Sequence, residues 1–258
     1  MRPFHLVDLS PWPLLASVAV LSFATALVSW FHGLPSLVGA ASGAAFLLLV
    51  AFQWWRDVLR EARGGHHTVR VQNGILVGFL LFLLSEIMLF VSFFWAFFHS
   101  ALAPAVELAA LWPPVGVATI DPWSIPLLGS CVLLASGFVL TLGHHALLNG
   151  SKALGIASLV WTVVLGGLFL FLQFNEYSVA GFTIADSVYG SVFYMTTGLH
   201  AVHVFIGVLF LTVGLVRLVL DHFTVEHHAG MEFAIFYWHL VDVVWLFVFV
   251  SYYWWGGA

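Results

Sequence analysis

Seven apolar runs, each long enough to cross a lipid bilayer, dominate this sequence of 258 residues. They cover approximately residues 12–31, 37–55, 73–99, 124–148, 153–175, 187–220 and 230–255. A bilayer core about 30 Å thick takes roughly 20 apolar residues of helix, and a lone apolar run satisfies its backbone groups in lipid only as a helix. The runs therefore predict an all-α, polytopic membrane protein with seven transmembrane helices.

The balance of residue types agrees with a membrane protein. Hydrophobic residues make up 62% of the chain and charged residues 7%, whereas soluble domains carry about 25% charged residues. We interpret residues 1–258 as one integral membrane domain. With 7 Lys and Arg against 12 Asp and Glu, the chain lacks the basic surface that binds phosphates, which argues against a nucleic-acid partner.

The loops between the runs predict how the helices are arranged. A tight Gly33-Leu34-Pro35 turn joins the first two runs, which predicts an antiparallel hairpin. All basic residues fall at the N-terminus or in alternate loops, and acidic residues mark the opposite loops. The basic set is Arg2, Arg56, Arg60, Arg63, Arg70, Lys152 and Arg217, and the acidic set is Glu107, Asp121, Glu176 and Asp186. The positive-inside rule then places the N-terminus inside.

Glu86 lies near the midpoint of the third run. An ionised, unpaired acid at that depth costs about 3 kcal/mol even on insertion scales, so we expect Glu86 to be protonated, partnered or both. The residue types leave two roles open, a proton-handling carboxyl and a hydrogen bond between helices.

Four further polar residues share faces of the last two runs. His200 and His203 are three residues apart on the sixth, and His239 and Asp242 are three apart on the seventh. They predict a polar seam that joins helices, since interhelical hydrogen bonds of this kind occur in membrane proteins. A bis-histidine haem between His200 or His203 and His239 is an alternative.

Three adjacent histidine pairs lie on the basic side, at positions 66–67, 144–145 and 227–228. They suggest a self-contained metalloenzyme of the di-iron desaturase or hydroxylase type. However, the HxxxH and HxxHH spacings of those enzymes are missing, and adjacent helical residues point about 100° apart. The spacing therefore gives no convincing set of metal ligands or catalytic residues in this chain.

Longer strings of the sequence resemble cytochrome c oxidase subunit III. They include WWRDV at 54–58, GHHT at 65–68, FFWAFFHS at 93–100, WPP at 112–114 and YWHLVDVVWLF at 237–247. These strings are co-linear and extend over nearly the whole chain, with the plant and algal mitochondrial forms most similar. Quinol-oxidising relatives of the same superfamily usually have fewer helices, so the first hairpin favours the cytochrome c branch.

The resemblance implies a core subunit of the complex that passes electrons from cytochrome c to oxygen and pumps protons. It implies that this chain is free of cofactors, while haem a, haem a3 and copper belong to subunits I and II. Accessory subunits and bound phospholipids are further expected partners. The family also places the first two helices apart from the other five, with a lipid-filled cleft between the hairpin and the five-helix bundle.

The resemblance assigns roles to individual residues. Glu86 matches the family's carbodiimide-reactive carboxyl, whose reactivity implies protonation. Lipid contacts are expected near Trp54, Trp55, Glu61, His67 and Arg217. Independently of the resemblance, the basic segment after Trp54 and Trp55 predicts a contact with an anionic lipid head group, because basic residues at a membrane surface attract anionic lipids. The implied location is the mitochondrial inner membrane with the N-terminus in the matrix, a bacterial cytoplasmic membrane being the alternative.

Overall fold

A computed structural model describes residues 5–106, 109–224 and 227–257. Within these residues, seven helices are long and apolar enough to cross a membrane, which confirms the predicted fold class. They are α1 (Trp12–Phe31), α2 (Leu37–Arg63), α3 (Val69–Leu102), α4 (Ile125–Leu148), α5 (Lys152–Val179), α6 (Ser187–Val219) and α7 (Ala229–Val248). Arg2 and Glu107, which contributed to the charge pattern, lie outside the described residues.

The chain forms two compact units, Met1–Gly78 and Phe79–Ala258, and the boundary falls within α3. In the first unit, called the hairpin unit below, α1 and α2 are antiparallel as predicted. Trp12 Nε1 at the start of α1 donates to Asp57 Oδ2 near the end of α2, at 2.8 Å. Small residues line the contact, including buried Ala19 and Ala40. Such residues let helix backbones approach closely in a membrane.

The second unit, called the bundle unit, contains the rest of α3 and α4 to α7. Its centre is aromatic, with Trp238 and Trp245 of α7 fully buried. Their indole N–H groups donate to the hydroxyls of Ser136 and Ser130 on α4, each at 2.9 Å. The end of the bundle unit that carries Lys152 and Arg217 is called its basic end below. There, Lys152 Nζ contacts Asp221 Oδ1 at 2.5 Å and so links the start of α5 to the end of α6.

The last helix changes geometry before it ends. A π-helix covers Phe249–Trp255 directly after α7. Within it Ser251, Tyr252 and Tyr253 are consecutive and all buried. The wider turn of a π-helix brings this aromatic pair into the bundle interior together.

Several helix ends differ from the sequence prediction by a few residues or more. α2 continues to Arg63 rather than ending at residue 55, because the apolar run measures the membrane thickness while the helix extends beyond it as a charged segment. α5 continues to Val179, so Glu176 lies in its last turns and is buried, not in a loop. The expectation of a loop position for Glu176 was wrong, since a side chain with internal partners can extend a helix past its apolar run.

Candidate functional site

Glu86 and His203 form a close pair inside the bundle unit. Glu86 lies halfway along α3, and its Oε2 is 2.7 Å from His203 Nε2 on α6. Both side chains are largely buried, at 19% exposure for Glu86 and 9% for His203. The expectation that the mid-membrane carboxyl needs a partner is therefore met by the neighbouring helix.

The other nitrogen of His203 indicates where the proton lies. His203 Nδ1 is 2.8 Å from the backbone oxygen of Leu199. A carbonyl only accepts, so Nδ1 carries a hydrogen and a neutral His203 has its lone pair on Nε2. In this neutral form Glu86 donates its O–H to Nε2, and neither side chain carries a charge. The ionic form, with an imidazolium and a carboxylate, has the same atoms but separates charge in an apolar setting.

His200 occupies a different environment from His203. It is fully buried, and its ring stacks on Trp245 of α7 with centroids 5.2 Å apart. Phe90 of α3 and Phe169 of α5 present their rings at 6.4 and 5.8 Å. His200 thus packs as an aromatic ring between three helices.

The second predicted pair faces α4. His239 Nδ1 lies 3.7 Å from Asp242 Oδ2, and His239 Nε2 lies 3.3 Å from the Thr141 hydroxyl. Asp242 packs on Gly137 of α4 so closely that a side chain at position 137 would collide with it. The four residues of the predicted seam are therefore distributed over contacts with α3, α4, α5 and α7.

These contacts bear on the haem alternative. His203 directs one nitrogen to Glu86 and the other to the Leu199 carbonyl. A haem ligand needs an imidazole nitrogen free to face the iron, and the observed bonds engage both nitrogens of His203. The His200 ring has no such bonds, but it is packed against the rings of Phe90, Phe169 and Trp245. His239 faces Thr141 and Asp242 instead of another imidazole.

A buried hydrogen-bond network that was not predicted from the sequence lies near the C-terminal end of α5. Glu176 Oε1 accepts from the Tyr253 hydroxyl at 2.6 Å and from Gln173 Nε2 at 3.1 Å. Glu176 is 2% exposed. The i, i+3 spacing of Gln173 and Glu176 at the end of an apolar run was the available signal.

The predicted lipid residues of the hairpin unit lie around the end of α2. Trp55 is strongly exposed and Trp54 less so. Glu61 Oε2 lies 3.7 Å from His5 Nε2. His67 lies in the segment between α2 and α3, where partial burial lowers its pKa below the ordinary value despite the opposing charge of Glu61. An exposed indole beside basic and acidic groups has the chemistry of a membrane interface.

Arg217, the remaining predicted lipid residue, lies near the end of α6 in the bundle unit. Its guanidinium carbon sits 4.2 Å from the centroid of the Phe223 ring, a cation–π contact. It also packs on Gly230, where an added Cβ would lie 2.6 Å from Nη1. The aromatic ring and the glycine together hold the cationic head in place.

The chain is similar to known proteins over nearly its whole length. The family model described as Cytochrome c oxidase subunit III matches residues 2–257. Cytochrome c oxidase subunit 3 of Prototheca wickerhamii is 53% identical over 263 residues, covering 100% of this chain and 99% of the relative. The proteins of the same name from Gadus morhua and Danio rerio are each 52% identical over 255 residues, covering 98% of this chain and 97% of each relative.

Proposed function

The chain belongs to the cytochrome c oxidase subunit III family and is a subunit of that proton-pumping oxidoreductase, and we propose that it supports catalysis without a redox centre of its own. In this proposal it packs against subunit I, holds phospholipids and sustains proton uptake. Haem a, haem a3 and copper reside in subunits I and II, and cytochrome c is the substrate of the whole complex. The family match supports the predicted oxidase role and not the di-iron alternative.

The observation that carries the supporting role is the internal pairing of polar groups in the bundle unit. Glu86 bonds to His203 and Glu176 bonds to Tyr253, so these acids stabilise helix contacts. The outward faces are apolar instead. Phe138 on α4, Phe174 on α5 and Phe247 on α7 are all more than half exposed. Apolar side chains on an outer face suit lipid tails or another membrane subunit.

For Glu86 we propose a structural and proton-retaining role that is not essential for turnover. Glu86→Gln keeps the volume and lets the amide donate to His203 Nε2, so assembly and most oxygen consumption should persist. Glu86→Leu removes the donor and leaves the buried imidazole without its bond, which should reduce stability by about 1–3 kcal/mol. Oxygen uptake of the purified complex, compared for the two variants, tests this role. Complete loss of oxygen reduction in an assembled Glu86→Gln complex would contradict it.

We propose that Trp54, Trp55, Glu61 and His67 hold phospholipid at the surface of the hairpin unit, and that Arg217 does so in the bundle unit. A guanidinium recognises phosphate through several N–H donors, and exposed Trp rings suit the head-group region. Arg217→Ala should lower the phospholipid retained by the purified complex and speed its inactivation during turnover. The matched control is Lys152→Ala, which removes a cation that pairs with Asp221 at the same end of the bundle unit. Lipid content equal to wild type in Arg217→Ala would refute the assignment for that residue.

We propose the mitochondrial inner membrane as the location, with the N-terminus on the matrix side. The described basic residues support the orientation, because Lys152 and Arg217 lie at the same end of the bundle unit. Protease protection of a C-terminal tag in intact inner-membrane vesicles tests the side. Seven spans place the two termini on opposite faces, so a matrix-side C-terminus would contradict the proposal.

Haem and metal content separates the supporting role from the metalloenzyme alternative. The mildly solubilised complex should contain haem and copper, and subunit III dissociated from it should contain neither. A separated chain that retains a haem or about two irons would instead make its histidines cofactor ligands.

A further inference from the structure

Three potential ligands of a metal ion meet at the basic end of the bundle unit. His144 lies near the end of α4, His228 directly precedes α7, and Glu232 lies in the first turn of α7. One nitrogen or oxygen of each lies within 4.8 Å of those of the other two. The histidines come from two different adjacent pairs, and the fold brings one member of each pair together.

His228 is oriented as a metal-ligating histidine is. Its Nδ1 lies 3.1 Å from the Thr224 backbone oxygen, so that nitrogen carries the hydrogen and a neutral ring has its lone pair on Nε2. Metal-bound imidazoles commonly donate their other N–H to a backbone carbonyl, which fixes the ring and its tautomer. His228 is only 7% exposed, so its Nε2 is shielded from bulk water.

The lone pair of His228 faces a carboxylate. Nε2 lies 3.4 Å from Glu232 Oε1, beyond a good hydrogen bond for these atoms. Two acceptors directed at one another repel unless a proton or a cation lies between them. The separation is close to the spacing of two ligands around a tetrahedral zinc ion, about 3.3 Å for bonds near 2.0–2.1 Å.

His144 supplies the third donor. Its ring lies 5.9 Å from that of His228, centroid to centroid. Within the described residues, His144 Nε2 is buried and has no hydrogen-bond partner. A buried nitrogen without a partner is costly, and coordination of a cation would satisfy it. Glu232, at 38% exposure of its side chain, keeps the cluster open to the aqueous side.

We propose that His144, His228 and Glu232 bind a zinc-type divalent cation that links α4 to α7. Two imidazoles and one carboxylate form a ligand set that zinc accepts, with water in the fourth position. Imidazole ligands favour zinc and its transition-metal neighbours over magnesium or calcium. This site goes beyond the proposed oxidase role and does not depend on it.

The test measures zinc binding by the intact oxidase complex. The purified complex is first treated with a chelator and then titrated with radioactive zinc by equilibrium dialysis. The variants His144→Asn and Glu232→Gln each remove one ligand, and His145→Asn is the matched control because the neighbouring side chain is exposed. Zinc bound by other subunits should be the same in all variants, so only the difference between variants is assigned to this site.

We expect one zinc ion per complex to bind to wild type and to His145→Asn. Its affinity should fall by at least about 100-fold in His144→Asn and in Glu232→Gln, since even residues that only orient ligands change metal affinity 10–100-fold. X-ray absorption at the zinc edge should show nitrogen and oxygen ligands and a difference between wild type and Glu232→Gln.

Equal zinc affinity and stoichiometry in wild type, His144→Asn and Glu232→Gln would overturn the proposal. A wild-type dissociation constant of about 1 mM or weaker at this position would also overturn it. If His144→Asn does not assemble, Glu232→Gln decides the question, because the carboxylate is partly exposed and its amide has nearly the same shape.

Discussion

The helices of the hairpin unit and those of the bundle unit associate through different kinds of side chain. In the hairpin unit, small residues such as Ala19, Ala40 and Gly43 bring α1 and α2 together, and the polar contacts lie at the helix ends. In the bundle unit, large aromatic rings fill the interior and polar groups pair at mid-depth. Close backbone approach stabilises the first, and ring packing with buried hydrogen bonds stabilises the second.

The largest effect should follow from emptying the aromatic interior. Trp238 is fully buried, packs on Gly166 and Gly207, and bonds to Ser136. Trp238→Ala should cost about 3–5 kcal/mol in the free energy of unfolding, because the neighbouring helices close the cavity only partly.

Trp30→Ala in the hairpin unit is the matched control, since that ring is 44% exposed. Its cost should stay within about 0.5 kcal/mol. Denaturant unfolding in mixed micelles compares the two variants. Equal costs would show that ring burial does not distinguish the units.

A smaller effect is expected from separating the hairpin helices. A Cβ at Gly43 would lie 2.8 Å from the Phe23 Cα, so Gly43→Val forces α1 away from α2. Over-packing of this kind should cost about 1–3 kcal/mol. Thermal unfolding of the complex in nanodiscs measures it. Gly39→Ala is the control, because its Cβ would meet Ala26 at an ordinary 3.4 Å. A wild-type midpoint for Gly43→Val would show that close approach is unimportant there.

One indole hydrogen bond from each unit, that of Trp238 in the bundle and that of Trp12 in the hairpin, extends the comparison. Ser136→Ala leaves the Trp238 N–H buried without an acceptor and should cost about 1–3 kcal/mol. Asp57→Asn leaves an oxygen that accepts from Trp12 at a partly exposed site, so its cost should be below about 1 kcal/mol. Unfolding in the same micelles measures both. The distinction between the units fails if Asp57→Asn costs more than Ser136→Ala.

The smallest effect concerns pH at the hairpin unit. Partial burial lowers the pKa of His67, so the folded state holds this proton less tightly than the unfolded chain does. The stability linked to His67 is therefore complete above about pH 6.5, the ordinary value, and falls as the pH drops below it. Thermal midpoints between pH 8 and pH 5 should show this slope, and His67→Gln should make it shallower. An unchanged slope in His67→Gln would remove His67 as its source.

Helices whose length follows from the bilayer thickness were predictable from the sequence. Helix ends and side-chain partners that depend on tertiary contacts were less predictable. Bilayer thickness made the seven helices visible as apolar runs, and the Gly33-Leu34-Pro35 turn indicated the hairpin. The helical extension to Arg63 was not visible, because charged residues continue a helix in water without any apolar signal. Glu176 was misplaced for the related reason that its partner Tyr253 is remote in sequence.

The candidate sites show the same division. Depth alone indicated that Glu86 needs a partner, yet the choice of His203 depends on how α3 packs against α6. Adjacent histidines were judged as pairs within one helix, where their side chains diverge. The meeting of His144 with His228 depends on the contact between the ends of α4 and α7, which spacing along the chain does not reveal.

The π-helix at Phe249–Trp255 is equivalent to an α-helix that carries one surplus residue. The extra residue rotates the last turns of the helix. As a result, the Tyr252 hydroxyl bonds to Thr196 on α6 and the Tyr253 hydroxyl bonds to Glu176 on α5. Shortening this segment by one residue would restore regular helical phase and turn one of the two phenols towards the lipid. The chain length of the final turn is therefore as much a determinant of the interior as the identity of its side chains, and this segment should tolerate substitution better than deletion.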